Sequence, residues 1–205
     1  MLSSLINDNN KHKALRYISN NIVEKLVNDN DIIWKLLKYQ DPDALNKENL
    51  TTQEKRDLIY KGWHYRDNEL VLDEMNDKAV FRQPWIDDAD TKQSTMLRIY
   101  LSSLLPNNKD ITVALYTFEI VCHNKSIPII SNLGDEDNEV SVNSENRLEL
   151  LTQQILETFN GAKIGSTGKM FFDMSGNYMT KATMGVYNNR NYFGMKLIMG
   201  CYVNV

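Results

Sequence analysis

The segment "FNGAKIGSTGKMFFD", Phe159 to Asp173, decides between two folds. Gly161, Gly165 and Gly168 lie close to Lys163, Ser166, Thr167 and Lys169. Such a cluster raises the question of a phosphate-binding loop. That loop reads G-x-x-x-x-G-K-[ST], leaves a strand and opens a helix, so that the helix N-terminus faces the phosphate. Setting Gly168-Lys169 as its G-K places Lys163 at the first glycine and Met170 at the hydroxyl. The order of elements is also reversed. Upstream, "RLELLTQQILETF" puts Leu148, Leu151, Ile155 and Phe159 on one helical face, with Glu149, Gln153, Gln154 and Glu157 largely on the other. Asn160-Gly161 stops this helix, and "GKMFFD" then reads as a strand. The loop therefore meets the negative end of a helix. No G-x-G-x-x-G dinucleotide fingerprint is present. The glycines turn the chain from a helix into a strand, which argues against a phosphate-binding loop at this point.

On the C-terminal side, "GKMFFDM" leads through "SGN" to "YMTKATMGVY", and through "NNRN" to "YFGMKLIMGCYV". Small turns between apolar runs predict successive hairpins. Their Met, Gly and aromatic residues carry few charges, so such strands expose apolar surface unless something covers it. On the N-terminal side, "KSIPIISNLGDEDNEVSVNSEN" reads as a long loop with an acidic tip. Before it, "TMLRIYLSSLL" and "ITVALYTFEIVCHN" flank the turn "PNNKD" and predict an antiparallel hairpin. "AVFRQPWI" is strand-like, and Pro84 places it at an edge or bulge.

The first third is helical. Leu15, Ile18, Ile22 and Leu26 mark an amphipathic helix over Lys11–Asn28. "IIWKLLKY" follows as a short helix with Asp31 as its expected N-cap, and Pro42 disfavours helix at Asp41. "LTTQEKRDLIYKG" carries a capping box, Thr51 with Glu54, ahead of Leu58 and Ile59, with Gly62 as the expected stop. "WHYRDNELVLDEMNDK" reads as an irregular polar stretch. The order helices, strands, one helix, strands predicts an α+β fold. It has N-terminal helices over 1–62 and a sheet region over 63–205, the two forming one compact domain. The sheet is antiparallel, with one helix packed on it and hairpins at the C-terminus.

Composition narrows the function. The chain has 205 residues, 42% hydrophobic and 24% charged, enough for a sizeable core. A net charge of −4 argues against broad electrostatic binding to nucleic acid or an anionic membrane. No apolar run approaches the roughly 20 residues of a membrane span, and "MLSSLINDNNKHK" lacks the pattern of a secretory signal. Cys122 and Cys201 sit in apolar strand-like runs and read as two buried thiols of a reducing cytosol. No CxxC occurs and His12, His64 and His123 are scattered, so no metal site is expected. Cys122 and His123 are adjacent on a strand and point to opposite faces, which argues against a catalytic pair and for a buried Cys beside a surface or edge His. The acidic "GDEDNE" (Asp135, Glu136, Asp137, Glu139) lacks the glycine position and helical flanks of a calcium loop. Trp63, Tyr65 and Arg66 in "WHYR" are residue types enriched at interface anchors, and they equally suit a plug where helix meets sheet. No catalytic or cofactor-binding residue is expected, and the chain reads as a non-enzyme.

Two blocks carry a resemblance. "IIWKLLKYQDPDALNKENLTTQEKRDLI" (Ile32–Ile59) resembles the N-terminal signature of neck and tail-completion proteins of tailed bacteriophages: a short helix with a Leu-Leu-x-Tyr-like turn, then Pro-Asp-Ala-Leu, then a Leu-Thr-x-x-Glu-Lys helix start. Thr95–Asp173 is similar to the same family's hairpin, here ending "FEIVCHN", followed by Arg147, "ILETFNG" and the glycine turn into "GKMFFD". The glycine turn is longer than is usual there, the Lys125–Asn146 loop is long, and two extra strands follow Asp173. The resemblance implies a structural virion protein, assembled in the host cytoplasm, that forms a hexameric or dodecameric ring at the head–tail junction as a neck adaptor or tail terminator. A portal or adaptor protein would lie above it and tail tube, sheath or other tail proteins below. Genomic DNA would pass through the channel without sequence-specific binding, and no membrane would be involved. Subunits of such rings pair through β-hairpins, which adds Arg98, Tyr100, Tyr116, Phe118, Tyr192 and Phe193 to Trp63, Tyr65 and Arg66 as interface candidates. Two alternatives stay open: a small nucleotide-binding enzyme using the Gly161–Lys169 loop, and a non-virion interaction module using the Trp63–Arg66 patch.

Overall fold

In the computed structural model the described residues are 2–84, 94–106, 111–132, 142–165, 168–172, 180–186 and 191–204. Three helices come first: α1 (Leu2–Asp29), α2 (Asp31–Lys38) and α3 (Thr52–Asp57). The strands β1 (Trp63–Arg66), β2 (Glu69–Leu72), β3 (Val80–Phe81), β4 (Thr95–Pro106), β5 (Ile111–His123), β6 (Pro128–Asn132) and β7 (Val142–Asn146) follow. After α4 (Arg147–Phe159) come β8 (Lys163–Ile164), β9 (Gly168–Phe171), β10 (Lys181–Val186) and β11 (Tyr192–Asn204). The fold is α+β, with a mostly antiparallel sheet.

Seven strands form the main sheet, in the order β3-β4-β5-β11-β9-β8, with β10 also on β11. β5 is central because it supplies β-branched and aromatic residues to both faces. It pairs with β4 and β11 along its whole length, with a bulge between Leu101 and Ser103. β3 is the one parallel neighbour, on the β4 side. β9 and β10 both pair with β11, end to end on the same side, so the expected hairpin of β9 with β10 does not form, while β8 with β9 and β10 with β11 do pair in succession. The expected long loop after β5 contains a further hairpin, β6 with β7; its acidic tip, with the calcium-loop question, lies outside the described residues.

The helices cover one face. Ala114, Tyr116, Phe118, Ile120 and Cys122 of β5 join a buried cluster with Ile18, Ile22 and Leu26 of α1, Trp34 and Leu37 of α2, and Leu151, Ile155 and Phe159 of α4. The apolar spacing read from the sequence thus becomes the packed face of α1 and of α4. Some local expectations are corrected. The N-cap of α2 is Asn30, not Asp31: its Oδ1 accepts from the Ile33 amide, while its Nδ2 donates to Gln154 and Thr158 of α4 at 3.0 Å each. That pairing explains why Gln154 is buried instead of facing water. Asp31 serves instead as an ion-pair partner of Lys55, whose Nζ also donates to the Val27 carbonyl at the end of α1. The Thr51–Glu54 capping box forms. Gly62 has the left-handed conformation, φ 66°, but α3 ends earlier, at Asp57. His123 is buried, edge-on to Tyr192 at 5.1 Å, and is not a surface residue.

Arg147, at the start of α4, is fully buried. Its guanidinium donates to four carbonyls: Ser126 (2.5 Å), Tyr39 (2.7 Å), Asp41 (2.9 Å) and Leu36. Leu36 and Tyr39 lie at the C-terminal end of α2, where free carbonyls and the helix dipole favour a cation. Ile130 of β6 donates to Pro42 beside them. One side chain therefore fixes the end of α2, the Pro42 turn and the entry to α4. Arg147→Met is expected to leave those carbonyls buried without a donor and to cost about 3–5 kcal/mol. Arg147→Lys, with a point charge in place of a planar fork, should recover part of it. The urea midpoints of the three proteins, at equal slope, check both.

Candidate functional site

The stretch Trp63–Leu72 is not irregular. Asp67 and Asn68 both have positive φ, 51° and 67°, which makes the two-residue turn whose twist suits a hairpin. Trp63 faces Leu72 and Tyr65 faces Leu70 across the ribbon, so the four share one face. They are 66%, 52%, 75% and 56% exposed, respectively. The opposite face carries His64, Arg66, Glu69 and Val71. The ribbon is a sheet of its own, separate from the main one. Its base is clamped: the Asp73 amide donates to the Gly62 carbonyl, the Lys61 amide to the Asp73 carboxylate, and Lys78 ion-pairs with Asp73 at 3.4 Å. A clamped ribbon that presents four large apolar side chains to water is a surface shaped for contact. The signal in the sequence was the period-two pattern around Asp67-Asn68, masked by the polar residues of the other face.

The other interface candidates fall elsewhere. Tyr116 and Phe118 are fully buried inside the subunit: the Tyr116 hydroxyl donates to the Leu15 carbonyl, and Phe118 packs on Phe159 at 5.0 Å. Both are spent on holding α1 and α4 to β5 and offer no atom to a neighbour. Tyr192 is buried against His123, and Phe193 is half-buried beside the main core. Arg98 lies on the sheet face opposite the helices, in a row across three strands. Arg98 and Lys196 flank Glu119, at 3.6 and 3.2 Å. Glu119 is buried, and opposite charges directly across a sheet stabilise its register. Tyr100 is half-buried next to this row, and burial pushes its hydroxyl above the ordinary tyrosine range. The structure thus puts Trp63 and Tyr65 on one face of the ribbon and Arg66 on the other, and disperses the rest.

The glycine segment has the element order read from the sequence. α4 ends at Phe159, Gly161 has φ 77°, and the chain enters β8 and β9. Gly161 donates to Met170 and Met170 to Ala162, which closes the turn on itself. Gly168 passes so close to the Tyr202 carbonyl that a Cβ there would collide with backbone. Lys163 and Lys169 stand opposite each other across β8 and β9. Among the described residues no group of three or more His, Cys, Asp or Glu side chains is placed to hold a metal, and no helix is long and apolar enough to cross a membrane. Cys122 and Cys201 are free and buried, eight pairings apart on adjacent strands, a separation of roughly 26 Å.

A sequence model of the family described as YomW matches residues 30–201, well over half of the chain. The chain belongs to that family. The name is that of a gene of SPBeta-type Bacillus phage, and the chain is accordingly phage-related. The match opens at Asn30, the cap of α2, and closes in β11, so it takes in the ribbon, the Arg147 node and all but the end of the sheet. No curated protein matches the chain.

Burial raises both thiols, that of Cys201 to about 11. A thiol whose pKa is higher folded than unfolded favours the fold while neutral. That contribution is full below the unfolded value near pH 9 and is lost as pH rises through the folded value. Neither cysteine should react with iodoacetamide at pH 8 until the protein unfolds, and stability should fall between pH 9 and 11 with a shallower slope in Cys201→Ala. Mass spectrometry and denaturation midpoints across that range check this.

Proposed function

We propose that this YomW-family chain is a structural component of the phage particle. In this reading it forms an oligomeric ring at the head–tail junction, as a neck adaptor or tail terminator that joins the DNA-filled capsid to the tail. The observation that carries the reading is the exposed apolar face of the ribbon, Trp63, Tyr65, Leu70 and Leu72. Exposed apolar area on a braced hairpin costs solubility and is kept where a neighbour covers it. The resemblance of the Ile32–Ile59 and Thr95–Asp173 blocks to neck and tail-completion proteins supports the same reading, as does membership of a phage-related family. A net charge of −4 suits a channel through which DNA slides without being held.

In the ring the chain's chemistry is recognition. The ribbon supplies side-chain contacts to an adjacent particle protein or subunit, and the clamped base sets the angle at which it projects. Trp63 and Tyr65 bring large rigid contact areas at small cost in side-chain entropy. Purified protein should give masses of a closed multimer in native mass spectrometry, and the chain should be found in particles by immunolabelled electron microscopy. A strict monomer absent from particles overturns the reading.

A double variant, Trp63→Ser with Leu72→Ser, should leave the urea midpoint within about 0.5 kcal/mol of the original, because both side chains are exposed. It should nonetheless lower the yield of tailed particles at least about tenfold in complementation, the loss expected of interface anchors. Particle counts beside the denaturation curve separate a docking defect from a folding defect.

A further inference from the structure

The main sheet ends on two edges that fit each other. On one side β3 pairs with β4 only at Leu97 and Arg98, so among the described residues the run Ile99–Leu105 meets no strand on that side. On the other side β10 pairs with β11 from Lys181 to Val186, and no described strand lies along its outer edge. β9, farther along β11, has its outer edge taken by β8. Large exposed apolar side chains mark both free edges: Leu101 and Leu104 on β4, Met184 on β10.

Strand direction and stagger agree. β4, β5, β11 and β10 are antiparallel in succession, so the β10 of a second copy laid along β4 continues the alternation without a reversal. The two edges differ, which makes the joint head-to-tail, and such a joint repeats until it closes or extends. Ser103 of β4 faces Leu115, which faces Gly200 of β11, whereas β10 begins opposite Ile198. The middle of the free run on β4 is therefore displaced from the middle of β10 by about four residues over four strands. That is about one residue of shear per strand, the ratio at which an eight-stranded barrel of shear eight tilts its strands by about 36° and closes.

We infer that copies of this chain join by antiparallel pairing of β10 of one copy with the Ile99–Leu105 edge of β4 in the next, so that the wall of the ring is one continuous sheet. The inference rests on the ring reading above and adds the joint. Backbone groups of both edges supply its hydrogen bonds, and Met184 packs near Leu101 and Leu104 of the neighbour.

Cysteine cross-linking tests the joint, because the native thiols are buried and stay silent. The full chain carrying Ala182→Cys and Leu104→Cys together, two exposed positions on the same face of the sheet, treated with a short bismaleimide, should give a ladder of covalent multimers. Neither single variant should pass beyond monomer. Met184→Lys, which charges an exposed edge, should raise the concentration at which multimers form about tenfold without altering the denaturation midpoint. Multimers of native mass with no ladder from the double variant overturn the edge joint and leave the ring reading standing. Dimers from a single variant mean that like edges meet, which also overturns it. A wild-type chain that is monomeric at every concentration removes the ring reading and the joint with it.

Discussion

The fold hangs on a buried cation without a carboxylate partner. The guanidinium of Arg147 is taken out of water and given four carbonyl oxygens, two of them from the end of α2. Burial pulls its pKa down from the ordinary arginine value, yet the group stays charged, since arginine does not lose its proton in proteins. The carbonyls of Leu36, Tyr39 and Asp41 form a partial negative charge that the fold would otherwise have to hydrate. Cation and carbonyls thus solve each other's desolvation. Lys55 repeats the device on a smaller scale, donating to Val27 at the end of α1 and pairing with Asp31. Two helices that turn sharply into one another have their negative ends neutralised by side chains from far along the chain. This fixes the helical layer on the sheet more sharply than apolar contact alone, which tolerates sliding.

The same logic explains what could be read from the sequence. Periodicity fixed the buried faces of α1 and α4, because Ile18 and Ile155 obey a local rule. The capping box needs only Thr51 and Glu54, three residues apart, and it was legible for that reason. Asn30 was not: its choice over Asp31 as cap depends on Gln154 and Thr158, more than a hundred residues away. Arg147 was visible as part of a family-like block, but its four acceptors come from two distant segments, Leu36–Asp41 and Ser126, and no spacing rule encodes them. Tyr116 and Phe118 show the limit for sites. Alternation places them on one face of β5 but does not say whether a helix or a second subunit covers that face. The ribbon was legible in residue type, through Trp63, Tyr65 and Arg66, and illegible in shape, since its Asp67-Asn68 turn lies among charges that resemble a loop.

β5 divides the labour between its two faces. Toward the helices it is apolar from Ala114 to Cys122. Away from them it carries Glu119 between Arg98 and Lys196, with Thr117 beside. A slip of one residue would turn Glu119 toward α4 and put Phe118 in the charged row between Arg98 and Lys196, so the charged row penalises the wrong register while the apolar face rewards the right one. The Nε of Arg98 is buried without a hydrogen-bond partner among the described residues, so the row is kept at some energetic cost, which favours a role in specifying the pairing over one in adding stability.

A surface built from backbone and one built from side chains suit different tasks. The edges of β4 and β10 that meet no strand among the described residues offer amides and carbonyls whose geometry is nearly independent of residue identity, so they suit contact between identical copies, where register alone must be specified. The face of Trp63, Tyr65, Leu70 and Leu72 offers shape, so it suits discrimination between one neighbour and another. A ring that must recognise itself and also recognise different proteins above and below needs both kinds. The chain places them on separate sheets, the ribbon being its own two-stranded unit. In the proposed ring, closure and axial docking could then vary independently, since a substitution on the ribbon leaves the β4 and β10 pairings untouched.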